Sequence, residues 1–371
     1  MPAPAGPTLT HGQLNRALLA RQHLLARVDR PVPATIDHLV GMQAQNPLDP
    51  YVALWSRLAG FTPVDLAPLV AGREAVRLTT LRGTIHLHTT TDALTVRPLL
   101  QPVMEKILRS TAFARSVDGL DLDALLATAR GWVEAEPRNG AQLRALVTDR
   151  HPGVDAASVV LVLRYLLPLV QVAPRGVWGE TKQATWTTLS HHVGRPLAPA
   201  PSAQDLIVRY LAAFGPASVA DIASWSRLTG VKALVAPLRD RLVTFAHPDT
   251  GRELLDLPDA PRPGAEVPAP VRFLPEYDNV FLGHADRSRI AQVPVPPSVL
   301  EPNGSVRLVL VDGMVAGCWT IPREEGPARL VVRNLAPWSR AQRRAVVEEG
   351  EALLALLAPD RPGGGVEIVP V

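Results

Sequence analysis

The chain has 371 residues, 47% of them hydrophobic and 20% charged, with a formal net charge of +3 and a single cysteine, Cys318. This is globular composition on a length that predicts roughly two to four domains, and one cysteine excludes an internal disulfide or a cysteine-rich zinc site. No apolar run reaches the ~18 residues of a membrane span and MPAPAGPTLT lacks the order of a signal peptide, so a cytoplasmic, nucleoid-associated protein is expected, with no membrane partner and no cofactor.

The first informative stretch is GMQAQNPLDPY (41–51), where Gln43 and Gln45 close an apolar helical segment and precede a proline turn. A helix sets residues i and i+2 on different faces. A shared site for both amides therefore requires the backbone to leave helical geometry near Gln45, as Asn46-Pro47 favours. The alternative is two solvated residues at a helix end. LWSRLAG (54–60), the short helix TPVDLAPLV and VRLTTLRGTIHLHT follow, the last being two β-rich runs joined at Arg82-Gly83. Strand alternation places Thr84, His86 and His88 on one face. Two histidines so spaced can bind a metal, but no third ligand is near, which leaves satisfied polar residues or phosphate contacts as the favoured readings.

Further along, LDLDALLATARGWVEAE, GAQLRALVTDRH and DAASVVLVLRYLLPL read as three helices, with LVQVAPRGVWGE opening a β wing. The amphipathic SAQDLIVRYLAAFG then leads to SWSRLTG (224–230), which repeats the WSRL of the first unit, to VKALVAPLRDR, and to a hairpin turning at Asp249–Gly251. A run of helices followed by a β-hairpin describes a winged helix. The expected fold is mainly α with β wings (α+β): three tandem winged-helix units plus a smaller C-terminal α/β domain. The expected boundaries are 1–115 (N-terminal helix and first winged helix), 116–195, 201–260 and 271–371, with proline-rich joints at 194–202 and 258–270.

The last domain opens with RFLPEYDNVFLGHADRSRI (272–290) and continues into a hairpin at Asp312-Gly313, a helix and a final strand, GVEIVPV. Glu276, Tyr277, Asp278, Asn279, His284, Asp286, Arg287 and Arg289 make a dense polar run between apolar strands. It reads either as an interdomain hydrogen-bond network or as part of a site.

Winged helices ordinarily bind DNA through one helix in the major groove. The helices in that position here, 62–70 and 155–169, carry almost no side chain able to read base edges. A joint surface that binds a duplex fits better than an ordinary repressor. Lysine occurs only at Lys106, Lys182 and Lys232, the other cations being arginine; arginine suits phosphate, but a GC-rich genome produces the same bias.

Taken in order, Q-A-Q after the first helix, an RGTIHL wing and PEYDN…HADRSRI resemble one bacterial family, the helix-turn-helix DNA glycosylases of the AlkZ and YcaQ type, over most of the chain. The glutamine-hydrophobic-glutamine form resembles the AlkZ branch, associated with unhooking interstrand crosslinks left by azinomycin-type natural products; the other branch carries aspartate at the second position. The resemblance implies that Gln43 and Gln45 are catalytic, that the partner is double-stranded DNA carrying alkylated or crosslinked guanine, and that the enzyme is a monomer. Thr84, His86, His88, Asp278, Asn279, His284, Arg287 and Arg289 are candidates for DNA contact or for support of the site, as is the hairpin at Asp312-Gly313.

Chemistry agrees with that implication. Alkylation at N7 leaves guanine cationic, so the base departs without protonation through an oxocarbenium-like state. An amide can orient the water and place a dipole against the sugar cation, but cannot take its proton. No lysine lies near Gln43 in sequence to form a Schiff base, so a monofunctional hydrolase is expected, with a carboxylate such as Asp49 as a possible assistant. The alternatives are a non-enzymatic winged-helix transcriptional regulator, dimeric and tolerant of Gln43→Ala, and a protein-interaction scaffold with no salt-dependent DNA affinity.

Overall fold

The computed structural model describes residues 6–180, 182–301 and 304–371; the first five residues of the expected 1–115 unit lie outside it. A long N-terminal helix, α1 (His11–Arg21), is fixed by a capping box in which Thr10 and Gln13 satisfy each other's backbone N–H. It is followed by α2 (Val32–His38), β1 (Met42–Gln43), α3 (Asp49–Trp55), α4 (Ala67–Ala71), β2 (Ala75–Thr79) and β3 (Ile85–Thr89), and by α5 (Thr90–Leu99) and α6 (Gln101–Arg109). The next stretch repeats the order helix, strand, helix, helix, strand, strand: α7 (Leu122–Ala135), β4 (Arg138–Asn139), α8 (Gly140–Arg150), α9 (Ala156–Leu166), β5 (Leu169–Gln171) and β6 (Thr185–Thr188).

These two stretches share one six-stranded sheet, in the order β1-β3-β2-β5-β6-β4. Each stretch contributes three strands in mirrored order. They meet where β2 pairs antiparallel with β5, Arg77 opposite Gln171 and Leu78 opposite Val170. Thus the β2–β3 and β5–β6 hairpins are edge partners of each other, which removes two exposed strand edges.

After α10 (Leu189–Val193) come α11 (Ala203–Phe214), α12 (Val219–Ser226), α13 (Val231–Val235) and the hairpin β7 (Val243–Ala246) and β8 (Glu253–Asp256). Tyr210, Phe214 and Trp225 stack within 4.8–5.7 Å of one another at the centre of a core that also takes in α1. The WSRL echo is structural: in both copies the tryptophan and serine end a helix, and the serine Oγ donates to the carbonyl four residues back, Val52 for Ser56 and Ile222 for Ser226. The arginines diverge. Arg57 is buried, whereas Arg227 is exposed with a left-handed backbone.

The C-terminal part is a five-stranded sheet, β13-β12-β11-β10-β9. It is built from β9 (Arg272–Glu276), β10 (Arg307–Val311), β11 (Met314–Thr320), β12 (Leu330–Asn334) and β13 (Val366–Pro370), with α14 (Asn279–Leu282) after β9 and α15 (Arg340–Leu357) before β13. Only the β12–β13 pair is parallel, as a crossover through α15 requires. The fold is therefore mixed α+β, as expected. No helix among the described residues is long and apolar enough to cross a membrane.

Candidate active site

The Q-A-Q segment departs from the expected helix end. α2 stops at His38, and Val40 and Gly41 take left-handed backbone conformations, with φ of 57° and 83°. The chain then runs as strand β1, Met42 opposite Leu87 and Gln43 opposite His86. The strand ends at Gln43, and the chain bends at Gln45, leaving both amides on the lining of one cleft. The turn needs glycine at 41: a Cβ there would sit 2.4 Å from Cε1 of the buried His88 ring. The segment is clamped on its backbone. Ala44 N–H donates to the Ile85 carbonyl at 2.8 Å, the Ala44 carbonyl accepts from Arg77 Nη2 at 2.6 Å, and Asn279 Nδ2 donates to the Gly41 carbonyl at 2.6 Å.

Gln43 is buried and Gln45 is exposed, and both line a cleft of about 420 Å³. Its walls come from the β2–β3 turn (Thr79, Gly83, Thr84, Ile85), from α9 (Leu161, Arg164, Tyr165), and from Phe113 and Tyr277. Tyr277, with φ of 57°, holds a backbone conformation costly to a bulky residue. A larger cleft of about 1090 Å³ meets the first at Gln45 and runs past Asn46, Asp49, Glu276 and Arg307.

Arg82 organises the floor. At the tip of the β2–β3 turn, with φ of 57°, its Nη2 donates to Gln43 Oε1 at 2.8 Å and lies 3.2 Å from His86 Nε2. An arginine is only a donor, so the amide oxygen of Gln43 faces the guanidinium and its NH2 is the free end. His86 Nε2 must likewise be an acceptor, which puts the ring proton on Nδ1, 3.1 Å from the Thr84 carbonyl. Burial, then the Arg82 charge, drive the His86 pKa well below its ordinary value, so the ring is neutral at pH 7. The sequence marks Arg82-Gly83 as a turn, and no local pattern there shows this second use of the arginine.

The remaining candidates have separate placements. Thr84 is at the cleft, its Oγ1 donating to the Leu81 carbonyl at 3.2 Å. His88 is fully buried between Thr80 (3.0 Å) and Asp92 (3.1 Å), away from the cleft lining. Asp278 forms a bidentate, buried pair with Arg57, at 2.7 and 2.9 Å, and Asn279 anchors Gly41; the first ties the C-terminal part to the end of α3, the second to the turn that opens the Q-A-Q segment. His284 is buried, its Nε2 3.0 Å from the Phe214 carbonyl, and Arg289 is buried with Nη1 donating to the Pro216 carbonyl at 2.7 Å. These two hold the C-terminal part to α11 and α12. Arg287 is exposed, stacked 4.5 Å over Phe281. The Asp312-Gly313 tip docks on α1: Asp312 accepts from Arg16 at 2.6 Å and the Gly313 carbonyl from Asn15 at 2.8 Å, so its backbone is held against the protein's own first helix. Among the described residues no group of three or more histidine, cysteine, aspartate or glutamate side chains is placed to hold a metal.

With this geometry in hand, a family description decides the assignment: DNA glycosylase AlkZ-like, matched over residues 36–356. The chain belongs to the AlkZ-like DNA glycosylase family. It is accordingly a hydrolase acting on DNA, and the regulator and scaffold readings are set aside. No curated protein matches the sequence. Among solved structures the chain is similar to the DNA glycosylase AlkZ of Streptomyces sahachiroi, with a TM-score of 0.77 at 21% identity over 98% of this chain and 100% of that one. At that identity the likeness speaks for the fold. The family match covers most of the chain and includes both glutamines, the wing and the C-terminal polar run.

Proposed function

We propose that this glycosylase hydrolyses the N-glycosidic bond of N7-alkylated guanine in duplex DNA, crosslinked guanine included, as a monomer, with Gln43 and Gln45 at the reacting sugar. One observation carries the reading. The cleft that both glutamines line holds neither carboxyl, histidine nor lysine; its only charged wall residue is Arg164. A neutral purine must be protonated to leave, and for this the lining offers only hydroxyls and Arg164, the carboxyls of Asp49 and Glu276 belonging to the adjoining cleft. A cationic N7-alkylated guanine needs no acid. The absence of lysine from the lining supports hydrolysis without a Schiff base.

The amides divide the work. Gln45, free of Arg82, turns its carbonyl to the attacking water and its dipole toward the sugar cation. Gln43, its carbonyl held by Arg82, presents NH2 to an acceptor on the substrate. The cleft is open and continues into a second one, which suits a base tethered to the opposite strand better than a closed flipping pocket. The aromatic walls at Phe113, Tyr165 and Tyr277 offer stacking surface.

The test is abasic-site formation on duplex oligonucleotides carrying N7-methylguanine or an N7-linked interstrand crosslink. Wild type should release the base from both, and Gln43→Ala and Gln45→Ala should each lose about 10²-fold or more, the usual scale for removing one aligned dipole. Release of an unalkylated or neutral lesion at comparable rates would overturn the substrate assignment.

A further inference from the structure

Asp49 stands out in the larger cleft. It is the first residue of α3, where the helix dipole favours a negative charge, but the N-cap position is Leu48 and the helix has no side-chain cap. The turn before it is closed instead by Asn46 Oδ1, which accepts from Leu48 N–H at 3.1 Å. Asp49 is only 3% exposed, and its Oδ2 is buried without a hydrogen-bond partner. A buried carboxyl oxygen left unpaired is expensive, and structures retain such groups where a ligand or reactant completes them. The residue lines the cleft that meets the Gln43 cleft at Gln45.

We infer that Asp49 is the general base of the reaction, taking the proton of the water that Gln45 orients. This rests on the reading of Gln45 given above and supplies what an amide cannot. The balance is simple. The water oxygen bonds to C1′ as the C1′–N9 bond breaks, the bonding pair neutralises the cationic guanine as it leaves, and one water proton passes to the Asp49 carboxylate.

The groups facing Asp49 set when it is ionised. Glu276 on β9 is the nearest like charge, Arg307 on β10 and Arg77 on β2 are the opposing cations, and Tyr277 stands beside Glu276. Arg307 is itself paired with Glu276. Burial first, then Glu276, raise the Asp49 pKa well above the usual carboxylate range, against the pull of Arg307, the Asn46 backbone and Arg77. The free enzyme thus makes the Asp49 carboxyl harder to ionise than an ordinary carboxylate. A cationic base and a developing sugar cation in the adjoining cleft favour its ionised form. The acid becomes a base when the substrate it serves is present.

The experiment is a single-turnover pH–rate profile from pH 5 to 9 on an N7-methylguanine duplex, with wild type, Asp49→Asn and Asp49→Glu, each checked for fold by thermal melting and for duplex affinity. Wild-type rate should climb with pH to a plateau. Asp49→Asn should lose about 10²-fold and the pH dependence with it, at unchanged affinity, and Asp49→Glu should restore part of both. A flat wild-type profile overturns the assignment without recourse to any variant. So does an Asp49→Asn enzyme within about threefold of wild type on the same profile. If wild type releases no N7-methylguanine at all, the substrate reading fails and the base fails with it; release with a flat profile removes Asp49 alone.

Discussion

Arg82 Nη2 lies 2.8 Å from Gln43 Oε1 and 3.2 Å from His86 Nε2, so one guanidinium nitrogen fixes both an amide and a ring that oppose each other across the β1–β3 pair. No described salt bridge includes Arg82. A charge-assisted hydrogen bond of this kind is worth roughly 1.5–3 kcal/mol. Its larger effect is to stop Gln43 from rotating its carbonyl into the cleft. Arg82→Ala should therefore reduce base release about tenfold to a hundredfold. Arg82→Lys should recover little of that, because an ammonium lacks the planar fork that positions the contact. Single-turnover release by the two variants, with circular dichroism to confirm folding, checks this; wild-type rates in both would remove Arg82 from the site.

Much of this was legible in the sequence, and the omissions have physical reasons. Hairpins at 75–89 and 243–256 and the amphipathic α11 follow from period-2 and period-3.6 patterning. The sequence marks the two glutamines and allows either a helix end or a backbone that leaves helical geometry near Gln45; the departure comes earlier, at Val40 and Gly41. A two-residue strand such as β1 carries no periodicity of its own, and its existence depends on β3, 43 positions away at the Gln43–His86 pair. Likewise, no pattern in either segment reveals that β2 and β5 join two hairpins in one sheet, because both are short and able to pair with several edges. The polar run after β9 reads as a unit in the sequence; only packing separates Asp278 and Asn279, held to Arg57 and Gly41, from His284 and Arg289, against α11 and α12. Arg82 and Asp49 matter through partners absent or unexpected at their positions, which sequence does not encode locally.

Arg57 and Asp278 join the first stretch to the C-terminal sheet through two hydrogen bonds, both side chains almost wholly buried. Removing one partner leaves the other charge without compensation, and such changes cost about 3–5 kcal/mol. Asp278→Ala should lower stability by that order in urea unfolding. The paired replacement Arg57→Met with Asp278→Leu should cost distinctly less, since it buries no orphan charge. Asp278 also accepts from Val280 N–H at the start of α14, the helix that carries Asn279. Activity should thus fall in Asp278→Ala even below its unfolding transition, through a loosened Gly41–Gln43 turn. Equal stability in the single and paired variants would contradict this account.

Protonation provides a separate reading of the buried groups. Burial is the leading cause that pushes His23 and His192 down to about 4 and His284 to about 3, from an ordinary value of 6.5. Between pH 6.5 and those values the unfolded chain binds protons that the folded chain refuses. Stability must therefore fall as pH drops through that window and level off below it. Asp49 works in the opposite sense: its raised pKa means that the folded protein carries a proton the unfolded chain releases above the ordinary carboxylate value of 3.8. Below pH 6.5 these histidines, and His86 with them, should take up protons on unfolding, while above pH 3.8 Asp49 acts in the opposite direction. Calorimetric unfolding in buffers of different ionisation enthalpy counts the difference. Asp49→Asn should raise net proton uptake on unfolding at pH values above 3.8; an unchanged count would mean that the Asp49 carboxyl is no harder to ionise in the folded enzyme than in the unfolded chain.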